Sequence, residues 1–325
     1  MLNEMKYVYE VYCERSFTKA AKKLLISQPA LSSKIKQAEQ ELGAAIFDRS
    51  MMPLGLTKEG EFYINEAKQI LQIEQNVRTY FDDIKHLYAG SLSLGGSTFF
   101  CSYVLPNMIT RFKSLYPNVS ISILEGNLKE LRGGLNSGDV DLIIETAVHE
   151  GDPEFDTFFY KNESILFAVP KSNSINRRLT EYQWNDRVDF SKPNPFPTDV
   201  PPVPLNEFRD ASFIMLKEGN DLGGRGARLC EQAGFTPKTI MKTDQLQTAA
   251  HIAEQGLGVT FIRADLLRYD PHILDMLCIY ALPGPIAQRK IFFATKKGKY
   301  LTSAMRTFLR MAGVELPEGD TQADK

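Results

Sequence analysis

The residues best equipped for chemistry in this 325-residue chain are gathered near its start. In the stretch SQPALSSKIKQAEQELG, Ser27, Gln28, Ser32 and Ser33 offer hydroxyl and amide groups, and Pro29 offers a small apolar surface. Groups of this kind reach base edges and phosphates in a DNA groove, where an apolar contact suits a thymine methyl. Lys34 and Lys36 follow as phosphate neutralisers. Arg15, Lys19, Lys22, Lys23, Lys34 and Lys36 all fall between Glu14 and Glu39 with no acid among them, and Lys6 lies just upstream. In a chain of net charge -2, that acid-free window is a local electrostatic footprint.

The elements that would present these groups can be read beside them. TKAAKKLL sets Ala20, Ala21, Leu24 and Leu25 on one helical face and Lys19, Lys22 and Lys23 on the other, with Thr18 as the expected N-cap. After a break at Ile26, Ser27 caps a second helix and Pro29 suits its first turn. Ala30, Leu31, Ile35, Ala38 and Leu42 are expected to point inward, and Gly43 to end the helix. Two helices joined by about three residues make a helix-turn-helix whose second helix can enter a major groove. A plain packing unit with a solvated basic face would show the same spacing.

Catalytic chemistry is poorly represented. There is no G-x-S-x-G elbow, P-loop, G-x-G-x-x-G or HExxH, and His86, His149, His251 and His272 are scattered without ligand spacing. Cys13, Cys101, Cys230 and Cys278 form no CxxC pair and read as reduced thiols, neither a disulfide framework nor a zinc site. A thiol-based redox regulator and a two-lobed enzyme are the rival readings. Apolar residues at 43% and charged residues at 24% match a soluble globular protein of two or three domains. No apolar run approaches the ~20 residues a bilayer needs, and no export signal is visible, so a cytoplasmic protein is expected.

The pattern Phe17-Thr18-Lys19-Ala20-Ala21, Leu24, Ser27-Gln28-Pro29-Ala30-Leu31-Ser32, Ile35, Glu39, Leu42-Gly43, Phe47-x-Arg49 and Leu56-Thr57-x-x-Gly60 resembles the N-terminal domain of LysR-type transcriptional regulators. The resemblance implies a winged helix-turn-helix over residues 1–58. It makes Thr18, Ser27, Gln28, Pro29, Ser32, Ser33 and Lys36 the DNA-contacting set, with Arg49 as the wing contact. Two departures stand out: Ala38 replaces the usual Leu, and Ser50-Met51-Met52-Pro53 lacks a basic residue usual there.

From Lys58 to Tyr88 only Gly60 interrupts helix formers, and Ile70, Ile73, Val77, Tyr80, Ile84 and Leu87 keep a 3-4 spacing. A helix of that length outruns a small domain, so residues 59–89 read as a linker that pairs with a second copy.

Beyond Gly90, strands expected at 91–94, 119–124 and 140–145 alternate with helices at 103–115 and 128–137, which points to a parallel α/β sheet. A second such unit starts near 165, with strands at 213–216, 238–241 and 259–262 and helices at 225–233 and 245–255. Strands at 277–282 and 290–294 and a helix at 303–311 close the chain. With crossings near 161 and 267, the whole resembles the two-lobed periplasmic-binding-protein-like effector domain of the same family. Lobe one would be 90–161 with 267–325, and lobe two 162–266.

Ligands in open α/β folds sit beyond the carboxyl ends of strands. The corners there are Gly95-Gly96-Ser97-Thr98, Glu145-Thr146, Glu218 to Arg225, and Thr243-Asp244-Gln245. Ser97, Thr98, Glu145, Thr146, Asn220, Asp221 and Asp244 are therefore the candidate effector contacts, with no cofactor or metal expected. The expected partners are a double-stranded DNA operator, a small-molecule effector and further copies of the chain as a dimer of dimers, with RNA polymerase a further partner such a regulator allows. Between Leu179 and Phe213 a proline-rich segment containing Trp184 reads as an extended loop: a plain surface insertion, a lid or a subunit contact. The tail 317–325 is polar and expected to be disordered.

Overall fold

A computed structural model of the chain describes residues 2–85 and 90–317. The expectations for Leu87 and for the tail beyond 317 lie outside those residues. The chain divides into two compact units: residues 1–87 with 298–302, and residues 88–297 with 303–325.

The first unit begins with helices α1 (Leu2–Glu14), α2 (Phe17–Lys23) and α3 (Gln28–Leu42). Val8, Val11, Ala20, Ala21, Leu31, Ile35 and Ala38 make its dry centre, completed by Ile46, Phe47 and Ile64. Ser27 caps α3 by accepting from the Ala30 N–H at 3.3 Å, Pro29 sits in the first turn, and Gly43 ends the helix in the left-handed conformation at φ 73. Helix α2 is capped two residues earlier than expected: Ser16, not Thr18, accepts from the Lys19 N–H. Strands β1 (Phe47–Asp48) and β2 (Gly55–Leu56) form an antiparallel wing, and α4 (Lys58–Lys85) follows directly.

Three residues expected inside lie outside. Ala30 is exposed because it falls about 100° beyond the Leu31–Ile35–Ala38 stripe, and Leu42 lies in the last turn of α3, past the reach of the core. Leu25 is 91% exposed at φ 55. It occupies the position just after α2 where Ile26 N–H bonds Ala21 C=O at 3.0 Å and Leu25 N–H bonds Lys22 C=O at 3.2 Å, a closure that normally takes Gly or Asn. Leu25→Asn should therefore raise stability by about 0.5–1 kcal/mol, because it relieves a bulky left-handed residue without losing packing. Urea unfolding checks this, and a decrease would show that the Leu25 side chain is held by something other than solvent.

The second unit opens with β3 (Ser91–Gly96), a π-helical turn at Phe100–Val104, α5 (Leu105–Leu115), β4 (Ser120–Glu125), α6 (Leu128–Ser137) and β5 (Leu142–Glu145). Strand β3 pairs in parallel with both β4 and β5. The long β6 (Phe155–Pro170) then leaves this sheet and enters the next. There follow β7 (Ser212–Leu216), α7 (Asp221–Gln232), β8 (Lys238–Thr243), α8 (Leu246–Glu254) and β9 (Val259–Arg263), with β7 parallel to β8 and β9. Short helices α9 (Leu266–Tyr269) and α10 (Ile273–Met276) lead to β10 (Leu277–Ala281), β11 (Gln288–Lys296) and the closing α11 (Ser303–Met311).

The sheets are mixed rather than purely parallel. Strand β11 runs antiparallel to β5 and β6, while β9 and β10 run antiparallel to β6. Return strands of this kind carry no sequence mark that separates them from parallel ones. The chain also returns later than residue 267: β10 pairs with Leu166–Pro170 of β6, so the second sheet keeps residues up to about 281, and β11 makes the crossing around 288–291.

The proline-rich segment is an edge cover. Val203 N–H bonds Ala281 C=O and Trp184 N–H bonds Ile279 C=O, both at 2.9 Å, and Trp184 stacks on Phe196. These bonds satisfy the outer edge of β10, which would otherwise stand open for another strand. None of residues 179–213 lines the cleft described next.

Candidate functional site

On α3, Gln28, Pro29, Ser32, Ser33 and Lys36 fall within an arc of roughly 140° at 100° per residue, centred about 120° round the helix from the buried Leu31, Ile35 and Ala38. All but the half-buried Ser32 are exposed, as are Thr18 and Ser27. The helix core thus turns the polar set outward as one surface. Arg49 is differently placed. Its Nη2 donates to Glu39 Oε2 at 3.1 Å and its guanidinium lies over the Phe17 ring. Glu39 Oε1 also accepts from the Ile46 and Phe47 N–H groups at 2.9 and 3.3 Å. Sequence reasoning made Glu39 only a motif position. It is the clasp between α3 and the wing. Lys23 is partly neutralised as well, by Glu10 at 2.7 Å and Glu14 at 3.3 Å.

In the second unit, the carboxyl ends of β3, β5, β7, β8 and β9 open on one cleft of about 1130 Å³. Ser97, Thr98, Glu145, Thr146, Asn220, Asp221 and Asp244 all line it. Most of these side chains already have work. Thr98 donates to Glu125 at 2.5 Å, Asn220 caps α7 by accepting from Leu222 N–H, and Asp244 pairs with Lys217 at 2.7 Å. Ser97's hydroxyl has no hydrogen bond among the described residues. The glycines around them serve packing rather than a ligand. A Cβ on Gly95 would meet Leu131 at 3.0 Å, and one on Gly226 would meet the Phe261 ring at 2.6 Å. Helix α7 starts at Asp221, so Gly223 and Gly224 are helical and not part of a loop.

Below the cleft lies a charged network the sequence reading missed. Glu163 of β6, 1% exposed, accepts from Arg263 Nε and Arg289 Nε, each at 2.7 Å. Arg289 Nη1 also donates to Asp221 Oδ2 at 2.8 Å, and Arg225 Nε bonds the same carboxylate at 2.9 Å. Arg225 Nη1 reaches the Ile286 and Gln288 carbonyls. Burial alone would raise Glu163, but the two arginines overcome it and hold the carboxyl below its ordinary value. Glu145 goes the other way: burial raises it, and the Thr146 N–H at 2.7 Å offsets this only in part. The available signal was a charge at the end of each apolar strand run, as in Asn162-Glu163-Ser164-Ile165, Phe261-Ile262-Arg263 and Arg289-Lys290-Ile291.

The thiols are poorly suited to redox sensing. Burial, with Glu125 and Glu145 nearby, pushes Cys101 up to about 11, and burial pushes Cys230 up to about 12. Reactive cysteines are found in the opposite, thiolate-favouring setting. No helix among the described residues is long and apolar enough to cross a membrane.

Comparison with known proteins matches both units. Residues 2–61 match the bacterial regulatory helix-turn-helix protein, lysR family, and residues 85–316 match the LysR substrate binding domain. An "uncharacterized HTH-type transcriptional regulator", YcgK of Bacillus subtilis, is 28% identical over 97% of this chain and 94% of its own length. A "probable RuBisCO transcriptional regulator" of Cyanidioschyzon merolae is 32% identical over 94% of this chain and 95% of its own. In fold, a full-length OxyR variant of Pseudomonas aeruginosa superposes with a TM-score of 0.61 at 23% identity, covering 96% of this chain and 93% of that one. Full-length CbnR in complex with its target DNA gives 0.52 at 17%, covering 96% and 98%. Fold, helix-turn-helix and cleft converge on one conclusion: the chain belongs to the LysR-type transcriptional regulators, DNA-binding regulators with an effector-binding domain, and not to a family of enzymes.

Proposed function

We propose that this regulator works in the cytoplasm as a homo-oligomer that reads its operator with the first turns of α3 and changes its DNA contacts when a small molecule occupies the two-lobed cleft. The observation that supports the reading face most is the outward arc of Gln28, Pro29, Ser32, Ser33 and Lys36. Ser27 and Thr18 flank it as phosphate contacts, and Arg49 supports the wing from its bond to Glu39. Gln28→Ala should lower discrimination between operator and random duplex by about 1–3 kcal/mol, whereas Lys36→Ala should weaken both alike and flatten the salt dependence. Binding titrations across salt concentrations decide, and identical behaviour of the two variants would overturn the assigned roles.

Oligomerisation rests on α4. Phe62, Ile73, Val77, Tyr80 and Ile84 share one face of that helix and are all exposed. Their angular spread is about 60°, which is the width of a pairing seam. A second copy laid along this stripe would remove a row of large apolar side chains from water and present two reading helices to a two-fold site. Val77→Glu places two carboxylates in the seam and should shift sedimentation to smaller species with weaker operator binding. An oligomer of unchanged size would remove the pairing role from α4. In the effector unit, residues 90–161 with β11 and α11 would act as one lobe and residues 162–281 as the other, with effector binding biasing the population between two arrangements.

A further inference from the structure

The chain comes back to the linker helix after it has left. It quits the first unit after residue 87, builds the effector unit, and then returns for Gly298–Thr302, which belong to the first unit while Lys297 and Ser303 on either side belong to the second. Side-chain contacts seat this strap on α4. Asn76 Nδ2 donates to the Gly298 carbonyl at 2.7 Å, and Asn76 Oδ1 accepts from the Tyr300 N–H at 2.9 Å. The Tyr300 hydroxyl donates to Asp83 Oδ2 at 3.3 Å, and its ring meets the Tyr80 ring edge-on with centroids 5.6 Å apart. Gly298 makes the turn into the strap at φ 67, in the left-handed region that glycine enters freely.

Asn76, Tyr80 and Asp83 fall within about 60° of one another around α4. That face adjoins the exposed apolar stripe of Phe62, Ile73, Val77, Tyr80 and Ile84, and Tyr80 is common to both. The ends of the strap are held as firmly as its middle. Before it, Lys297 N–H bonds Glu154 C=O at 3.0 Å and Lys297 Nζ pairs with Asp156 at 3.1 Å. After it, α11 buries Met305, Phe308 and Leu309, with the Phe308 ring 5.6 Å from that of Phe112 and 6.2 Å from that of Phe293 in β11. Five residues reach at most about 18 Å when extended, so a strap fixed at both ends has little slack of its own. Strand β11 leads to it from the cleft. Arg289, near the start of that strand, binds Glu163 and Asp221, and the strand ends at Lys296 after lying bonded between β5 and β6. Rigid, hydrogen-bonded elements of this kind carry displacement along their length.

We infer that Gly298–Thr302 is a transmission strap: a displacement of β11 and α11 passes through Tyr300 to Tyr80 and resets the pairing face of α4. This rests on the reading that α4 pairs with a second copy and that the state of the effector unit governs DNA contacts. Coupling between two binding events is reciprocal, so DNA held by the reading helices must in turn be felt in β11 and α11.

The test uses the full-length protein and a duplex that it selects from a random pool, held in saturating excess, with backbone hydrogen exchange read by mass spectrometry. Duplex binding should change the exchange of peptides over residues 288–311 by about fivefold or more. Tyr300→Ala should erase that change, whereas Tyr300→Phe, which keeps the ring against Tyr80, should retain it. Should Tyr300→Ala fold poorly, Asn76→Ala decides, because it releases Gly298 and the Tyr300 N–H from the α4 side and should erase the change in the same way. No response of 288–311 in the parent, or a response that survives the deciding variant, would overturn the strap. Loss in Tyr300→Phe as well would overturn the ring contact as its route. Sedimentation of the parent tests the underlying reading separately. An oligomer whose exchange ignores Tyr300 leaves the pairing of α4 standing and removes the strap; a monomer whose exchange responds through Tyr300 removes the pairing and keeps the link from α4 to β11.

Discussion

Gly60→Ala should collapse the DNA-binding unit while leaving the effector unit folded. A Cβ at this position would lie 2.0 Å from the Ile46 carbonyl oxygen and 2.9 Å from its carbon, both backbone atoms that cannot rotate away. That carbonyl already accepts from the Thr57 N–H at 3.0 Å, and Thr57 Oγ1 accepts from Gly60 N–H at 2.9 Å while donating to Ala45 C=O. Relief would have to move α4 off the wing, breaking these bonds and the Glu39 clasp on Ile46 and Phe47 together. The cost should be about 3 kcal/mol or more, at the upper end for overpacking. Calorimetry of the full chain should show one transition lowered and the other unmoved, with loss of binding to any DNA duplex. Stability within about 0.5 kcal/mol of the parent, the range of an ordinary surface change, would mean that the α4–wing junction is looser than its geometry.

The second large effect is expected at Glu163. Glu163→Leu leaves Arg263 and Arg289 buried and facing each other with their shared partner gone. Breaking a buried pair in this way costs about 3–5 kcal/mol, since the desolvated charges remain. Here the loss should appear in the effector unit's transition, and operator binding by the isolated reading surface should be spared. Its pH dependence has a definite sign. Because the folded protein holds Glu163 below its ordinary value, its contribution is complete above the unfolded carboxylate range and fades as pH falls through the lowered folded value. The parent should thus lose stability on acidification more steeply than Glu163→Leu. Parallel stability–pH curves would disprove this role for Glu163.

The reading helix was legible because its signals are local. A Ser cap, a Pro in the first turn, a terminal Gly and an apolar stripe are all matters of spacing within one helix, and each falls where expected except Ala30 in the first turn and Leu42 in the last. Thr18 lost its capping role to Ser16 because either residue could start α2, and two residues of offset lie beyond what spacing resolves. The cleft was legible in outline for the same reason: its lining residues follow strand ends. Its chemistry was not, because Glu163, Arg263 and Arg289 are separated by 100 and 126 positions from Glu163 onward and meet only through antiparallel strand pairing. Glycines misled in the opposite direction. Gly95 and Gly96 read as a ligand-facing turn, yet each is small because a neighbouring side chain occupies the space.

The order of strands in the effector unit sets a timetable for its birth. Strand β11 lies between β5 and β6, so the sheet begun at Ser91 lacks an inner strand until Gln288–Lys296 has been made. A chain leaving the ribosome can fold its DNA-binding helices from local contacts early, whereas the first lobe must hold its apolar β5 edge unpaired through some 140 further residues of synthesis. Nascent chains stalled before residue 288 would therefore carry a finished reading head joined to an exposed, aggregation-prone sheet, which makes this stretch of translation the one where a chaperone matters most.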